Sequence, residues 1–404
     1  MRKIRVMCAI GAMHGGGSER QLVQILQHLD RTLFEPFLYL VYRSGPLLDQ
    51  IPADVPVFVF EERVSSASRR WYFPGRMHAR RVADYAACLQ EVHADVSYDR
   101  TFLMTLITAA AAQRVHIPNV STIVTNPETG FAPVAGRFQW LKRRLLHLLY
   151  NRSTRVLAVS DGAREAAIRF YGIDPARIVT QYNGIDTTQV RQFAARAVED
   201  AWWNAPDTEG RPVFRIVSAG RLNHEKGFHL LIEAVRTLVQ LDTQTKYRLA
   251  LLGEGGHREK LQQQIDASGL TQVVKMPGFQ ANAAAWYRTA SVFVLPSLVE
   301  GMPNVLLEAM VCRTPVISSN CESGPAEILE NGRLGILVPI NDAVALQKAI
   351  ADIRDNTTAA ADRAEAAEKA IESRWTIQAA TARLQGILMA AAKGGSEFSE
   401  NRGL

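Results

Sequence analysis

Short runs of β-branched and aromatic residues alternate with longer helical patterns along almost the whole chain, and this alternation constrains the fold more than any other feature. In the first half the runs are Ile4 to Ile10, Phe37 to Tyr42, Val57 to Phe60 and Val156 to Val159. In the second half they are Phe214 to Ser218, Tyr247 to Leu252, Val273 to Met276, Val292 to Leu295 and Pro315 to Ser318. Strands separated by helices predict parallel sheets covered on both faces. The segment Gly227 to Leu238 shows the helical half of the pattern, with Phe228, Leu231, Ile232, Val235 and Leu238 on one stripe.

A chain of 404 residues exceeds what one hydrophobic core usually serves, so two doubly wound Rossmann-like α/β domains facing across a cleft are expected. The polar stretch from Asp186 to Arg211 supplies the boundary, placed near residue 195. The expected division is a domain over 1–194, a second over 195–375, a terminal helix over 376–392 that crosses back to the first domain, and a disordered tail over 393–404.

The longest apolar stretch, Phe102 to Ala112, falls well short of the ~20 residues a membrane span needs. The apolar run at Ile4 to Ile10 ends directly in Gly11 without a cleavage-site pattern, so it reads as a first strand. Cys8, Cys88, Cys312 and Cys321 have neither metal-ligand nor disulfide-framework spacing, which predicts reduced thiols and a cytoplasmic protein without a metal site. A net charge of +6 favours anionic partners, but the basic residues form no recognised nucleic-acid module.

Loops at the carboxyl ends of parallel strands bind ligands, and here they carry charge and glycine. After the first run comes His14-Gly15-Gly16-Gly17-Ser18-Glu19-Arg20, a turn whose amides suit a phosphate and whose Ser18 is placed to cap a helix. A dinucleotide reading fails on its spacing, which is not GxGxxG. The run ending at Ser218 leads to Gly220-Arg221 and Lys226-Gly227, two cations suited to a diphosphate. After Leu295, Glu300 and Glu308 stand eight positions apart, with Pro303 suited to a first helical turn between them. Gly253 to Gly256, Pro277-Gly278-Phe279 and Asn320 to Leu329 add further turns.

Taken in order, Gly15 to Arg20, Val159-Ser160-Asp161-Gly162, Tyr182-Asn183-Gly184-Ile185-Asp186, Gly220-Arg221 with Lys226-Gly227, and the Glu300/Glu308 pair resemble glycosyltransferase family 4, the retaining GT-B transferases. The resemblance runs from Gly15 to about Leu388. It implies that Arg221 and Lys226 hold a donor diphosphate, Glu308 the ribose, and Glu300 with Gly301, Pro303, Asn304 and Val305 the donor sugar. Gly253, Gly255, Pro277, Gly278 and Phe279 would flank the base, and Gly16 and Gly17 would complete the donor set.

The resemblance further implies a UDP-sugar as substrate, with GDP-sugar as runner-up, and no separate cofactor. Arg221, Lys226 and Glu300 are the expected catalytic residues, the cations stabilising charge on the departing UDP and Glu300 positioning the sugar. A hexose or N-acetylhexosamine would pass to a lipid-linked or surface-glycan acceptor without a metal. A degenerate scaffold protein, an epimerase and a phosphorylase share the architecture and stay as alternatives. Many relatives carry a histidine near the acceptor where this chain has Asn126, so Asn126 is the expected substitute.

Two basic and aromatic clusters suggest where the acceptor and an anionic membrane surface are met. One is Arg69-Arg70-Trp71-Tyr72-Phe73 with Arg76, Arg80 and Arg81. The other is a helix from about Arg137 to Arg152, with Leu141, Leu145, Leu148 and Leu149 on one side and Arg137, Arg143, Arg144 and His147 opposite, Trp140 among them. These features predict a peripheral protein on the inner face of the cytoplasmic membrane.

Overall fold

A computed structural model describes residues 2–64 and 75–394. The chain forms two compact units, one made of 1–184 together with the segment from 377 onward, the other of 185–376.

The first unit is built on a seven-stranded parallel sheet: β1 (Ile4–Ile10), β2 (Phe34–Leu40), β3 (Val57–Val59), β4 (Val96–Arg100), β5 (Asn119–Ile123), β6 (Arg155–Ala158) and β7 (Ile178–Thr180). Their order is β3-β2-β1-β4-β5-β6-β7, so the direction of winding reverses between β1 and β4. Carboxyl ends diverge at such a point and leave room for a ligand. The Phe102–Arg114 helix after β4 is apolar nearly all round and correspondingly buried, from Met104 to Ala112 with Ala110 alone partly open. The apolar stretch too short for a membrane is thus an inner helix of this unit.

The second unit has a six-stranded parallel sheet of β8 (Val213–Ala219), β9 (Lys246–Leu252), β10 (Val274–Gly278), β11 (Val292–Leu295), β12 (Val316–Ser319) and β13 (Ile336–Val338), in the order β10-β9-β8-β11-β12-β13. Winding reverses between β8 and β11. The Phe228–Leu241 helix buries the five residues expected of it. No helix among the described residues is long and apolar enough to cross a membrane.

The division falls at Gly184/Ile185, ten residues before the sequence reading put it. Apolar anchors inside the polar stretch draw it into the second unit: Val190, Val198 and Trp203 are buried, and the Trp203 ring lies 5.1 Å from that of Trp286. The Trp203 carbonyl also accepts from Arg215 and Arg248. The Ile377–Ala392 helix belongs to the first unit, where Leu384, Ile387 and Leu388 join a core with Val6, Leu22 and Tyr98. Of the expected tail, 395–404 lie outside the described residues.

Four strands, β4, β5, β7 and β13, have no counterpart among the runs read in the sequence, and β4 explains why. Its sequence Val96-Ser97-Tyr98-Asp99-Arg100 looks polar, yet every residue is buried. Asp99 accepts from Thr105 and Thr108 at 2.7 Å and Ser121 at 2.8 Å, with Asn119 at 3.4 Å. A fully bonded carboxyl can occupy a core that sequence polarity argues against.

Candidate functional site

The loops leaving β8 and β11 meet at the reversal point of the second sheet. The Leu298 amide donates to the Glu225 carbonyl at 2.8 Å, fixing one loop against the other. This brings Lys226 Nζ to Glu300 Oε1 at 2.6 Å, while Ser297 Oγ donates to the same oxygen at 2.7 Å. Glu300 is buried and Lys226 only partly exposed, so the pair is a strong charge-assisted contact. Burying either charge alone would be costly. Arg221 is exposed, and its guanidinium makes no hydrogen bond or ion pair among the described residues. An anion arriving here would find one uncommitted cation and a second that it must share with Glu300.

Glycines permit the close approach of these loops. At Gly253, with φ +136°, a Cβ would stand 2.0 Å from the Gly220 carbonyl oxygen. At Gly227, with φ +65°, it would stand 2.0 Å from the Pro296 oxygen. Neither position admits a side chain. The Leu222 amide then bonds to the Glu254 carbonyl and the His257 amide to the Leu222 carbonyl, so Gly253 and Gly255 pack against the backbone of Gly220 and Leu222, the neighbours of Arg221. Pro277 and Gly278 end β10, where the Gly278 carbonyl accepts from the Gly253 amide at 2.8 Å, and Phe279 is exposed beyond them.

Gly301 and Pro303 are buried, and Pro303 is the N-cap of the Asn304–Val311 helix rather than part of its first turn. With φ −77° and ψ 100° it is extended, so the helix begins one residue later than the spacing suggested. Asn304, Val305 and Glu308 are partly buried on that helix.

Residues that the sequence reading passed over complete the cluster. Ser297 is one: a small polar residue just past a buried strand was its only signal. Cys321, after β12, donates its thiol to the Ser297 carbonyl, and burial together with the Glu300 charge pushes that thiol up to about 12. Burial raises the Glu225 carboxyl, but its own backbone amide, Asn223 and the charges of Arg221 and Lys226 outweigh this and hold it below its usual value. His224 also stacks on His229 at 5.1 Å, with His257 edge-on at 5.8 Å. No group of three or more His, Cys, Asp or Glu among the described residues is arranged to hold a metal.

Gly16 and Gly17 lie in the first unit, at the reversal point after β1. The helix there starts at Gly17 with Gly16 as N-cap, so Ser18 lies inside the first turn and caps nothing. Arg20 Nε bonds back to the Gly15 carbonyl at 3.2 Å. Asn126 is buried and caps the Pro127–Ala135 helix, its Oδ1 accepting from the Glu128 amide at 2.9 Å. Arg69 and Arg70 fall outside the described residues.

Arg143 and Arg144 lie on the Gln139–Arg152 helix but diverge. Arg143, though also exposed, is tied to the neighbouring helix, its Nε donating to the Phe170 carbonyl at 2.8 Å and its guanidinium 4.2 Å from the Phe170 ring centre. Arg144 is exposed. The buried residues of this helix are Leu146 and Tyr150, whereas Leu141, Leu145 and Leu148 face out, so Arg144 shares the leucine side instead of opposing it.

Residues 15–189 match the model of Glycosyltransferase Family 4, and residues 208–370 that of Glycosyl transferases group 1. A putative colanic acid biosynthesis glycosyltransferase, WcaL of Salmonella typhimurium, is 35% identical over 212 residues, 50% of this chain and 48% of that protein. A Campylobacter jejuni protein named N-acetylgalactosamine-N,N'-diacetylbacillosaminyl-diphospho-undecaprenol 4-alpha-N-acetylgalactosaminyltransferase is 29% identical over 200 residues, 49% of this chain and 50% of its own. The chain thus spans about half the length of the curated relatives it matches. Among solved structures, Anabaena Alr3699/HepE in complex with UDP and glucose superposes with a TM-score of 0.78 at 22% identity, over 96% of this chain and 100% of that one. Two adjoining family models, a shared architecture and charged loops at the expected strand ends agree: the chain belongs to the family 4, group 1 glycosyltransferases of GT-B fold.

Proposed function

We propose that the chain is a retaining glycosyltransferase that moves a hexose or N-acetylhexosamine from a UDP-sugar to a lipid-linked or surface-glycan acceptor at the cytoplasmic face of a membrane. The observation that carries this reading is the Lys226–Glu300–Ser297 cluster beside the exposed Arg221. UDP is supported as the nucleotide by its presence in the HepE complex, and a lipid-linked or glycan acceptor by the names of WcaL and the Campylobacter transferase.

In this reading Arg221 and Lys226 bind the diphosphate and stabilise the charge that grows as the bond to the sugar breaks. Glu300 would orient the sugar hydroxyls, and Glu308 would take the ribose. A donor phosphate oxygen, on the same face as the incoming acceptor, would receive the acceptor proton, giving retention without an enzyme nucleophile. The two cations supply the charge compensation that a metal gives elsewhere, so turnover in excess chelator is expected to match turnover without it.

The deciding measurement is a thermal-shift and calorimetric titration with UDP, GDP and their sugars, on the native chain and on Lys226→Ala and Glu308→Ala. Selective stabilisation by UDP, lost in both folded variants, supports the donor site. Selective stabilisation by GDP would move the assignment to a GDP-sugar. A folded native chain that binds no nucleotide would sink the transferase reading in favour of a scaffold.

A further inference from the structure

Between Glu128 and Asp161 the sequence contains no acidic residue, yet it holds Arg137, Lys142, Arg143, Arg144, Arg152 and Arg155. The inner side of the Gln139–Arg152 helix is fixed: Leu146 and Tyr150 are buried, and the carbonyls of Phe170, Tyr171 and Gly172 are hydrogen-bonded by Arg143, His147 and Asn151. Its outer side therefore has a settled composition. At helical spacing Leu141, Arg144, Leu145, Leu148 and Arg152 fall within a wedge of about 100°. All five are exposed, and Trp140 at the edge of the wedge is 70% exposed.

The turn leading into the helix continues this surface. Phe138 is 53% exposed with φ +61° and ψ +40°, a left-handed conformation that a bulky side chain rarely takes. The Arg137 guanidinium lies 5.8 Å from its ring centre. Arg144 and Arg152 make no hydrogen bond or ion pair among the described residues. An apolar ridge studded with uncommitted cations and lacking any acid calls for a partner that offers an apolar layer beneath a plane of negative charge.

We propose that this surface seats on an anionic lipid bilayer. Leu141, Leu145 and Leu148 enter the upper acyl region, Trp140 lies at the headgroup level, and Arg144 and Arg152 pair with lipid phosphates. The inference deepens the lipid-linked reading above and rests on it for its purpose, since a first unit held at the membrane meets an acceptor that cannot leave it. The binding itself needs no catalysis.

The test is sedimentation of the full chain with phosphatidylcholine vesicles, with and without phosphatidylglycerol, with UDP affinity measured on the same samples. Expected are binding to the phosphatidylglycerol vesicles, loss at high salt, and about fivefold weakening for each of Arg144→Ala and Arg152→Ala. Leu145→Glu should abolish binding at an unchanged melting temperature and UDP affinity, and Trp140→Ala, which adds no charge, should weaken it. Absence of vesicle binding by a chain that still binds UDP overturns the proposal. So does self-association that Leu145→Glu dissolves while vesicle binding persists, because the ridge would then join two copies. Vesicle binding without UDP binding would uphold the membrane surface and count against the donor site alone.

Discussion

Lys226 Nζ and Glu300 Oε1 stand 2.6 Å apart across two loops that the backbone bond from Leu298 to Glu225 holds in register. The contact joins a cation at the end of one strand loop to a carboxylate at the end of another, so removing either partner breaks a structural contact and, under the proposed function, should also slow transfer. In Lys226→Ala the buried Glu300 keeps Ser297 but loses its counter-charge. The expected destabilisation is on the order of 1–3 kcal/mol. Transfer from the donor should fall about 10²- to 10³-fold, as for the loss of one transition-state donor. Lys226→Arg keeps the charge and should recover stability before activity, as melting curves and single-turnover rates on the two variants will show.

Asp99 gives the first unit a pH dependence of its own. Burial pushes its carboxyl up to about 6, against the bonds from Thr105, Thr108, Ser121 and Asn119 that lower it. A folded-state value above the unfolded one means that the native state holds the proton more tightly. The group's contribution is therefore full below the unfolded value of 3.8, declines as pH rises from there to about 6, and changes little beyond. The decline amounts to roughly 3 kcal/mol. Asp99→Asn should flatten this slope between pH 4 and 6. With its amide nitrogen on the Thr105 side, the asparagine keeps an oxygen for Thr108 and Ser121, and Thr105 can turn its hydroxyl to the Thr101 carbonyl and accept from the new amide. An unchanged slope in denaturant titrations across that range would show that Asp99 does not set it.

Gly253 and Gly256 belong to one loop but should respond oppositely to alanine. A Cβ at Gly253 collides with the Gly220 carbonyl, whereas one at Gly256 has nothing within 4 Å. Gly253→Ala should cost about 1–3 kcal/mol through strain and displaced backbone. It should also weaken nucleotide binding by moving the Arg221 loop, while Gly256→Ala should behave as the native chain in the same calorimetric titration.

All four cysteines are buried, and burial pushes each thiol up to about 12. The thiolate is the reactive form, so the native chain should resist alkylation near neutral pH and gain four labelled sites only on unfolding. Mass spectrometry after brief iodoacetamide treatment, with and without denaturant, will count them.

Five of the six strands of the second unit were readable because their apolar runs are clean and their charges cluster where parallel strands end, while the three-residue β13 gave no such run. β4 was not, since Asp99 and Arg100 resemble a loop until their hydrogen-bond partners are known. Nor was the outer side of the Gln139–Arg152 helix. Periodicity groups Leu141, Leu145 and Leu148, but only the packing of Leu146 and Tyr150 decides which side meets the core. The capping role of Asn126 did have a signal, because Asn followed by Pro127 and Glu128 is a helix-start pattern.

The Ile377–Ala392 helix completes a core begun at β1, although the whole second unit lies between them in the chain. During synthesis the first sheet therefore waits with the surface meant for Leu384, Ile387 and Leu388 uncovered while some two hundred residues emerge. The second unit, contiguous from 185 to 376, needs no such delay. The part translated first is thus the last to close, and a nascent chain halted just before residue 377 would carry a finished second unit beside an unfinished first.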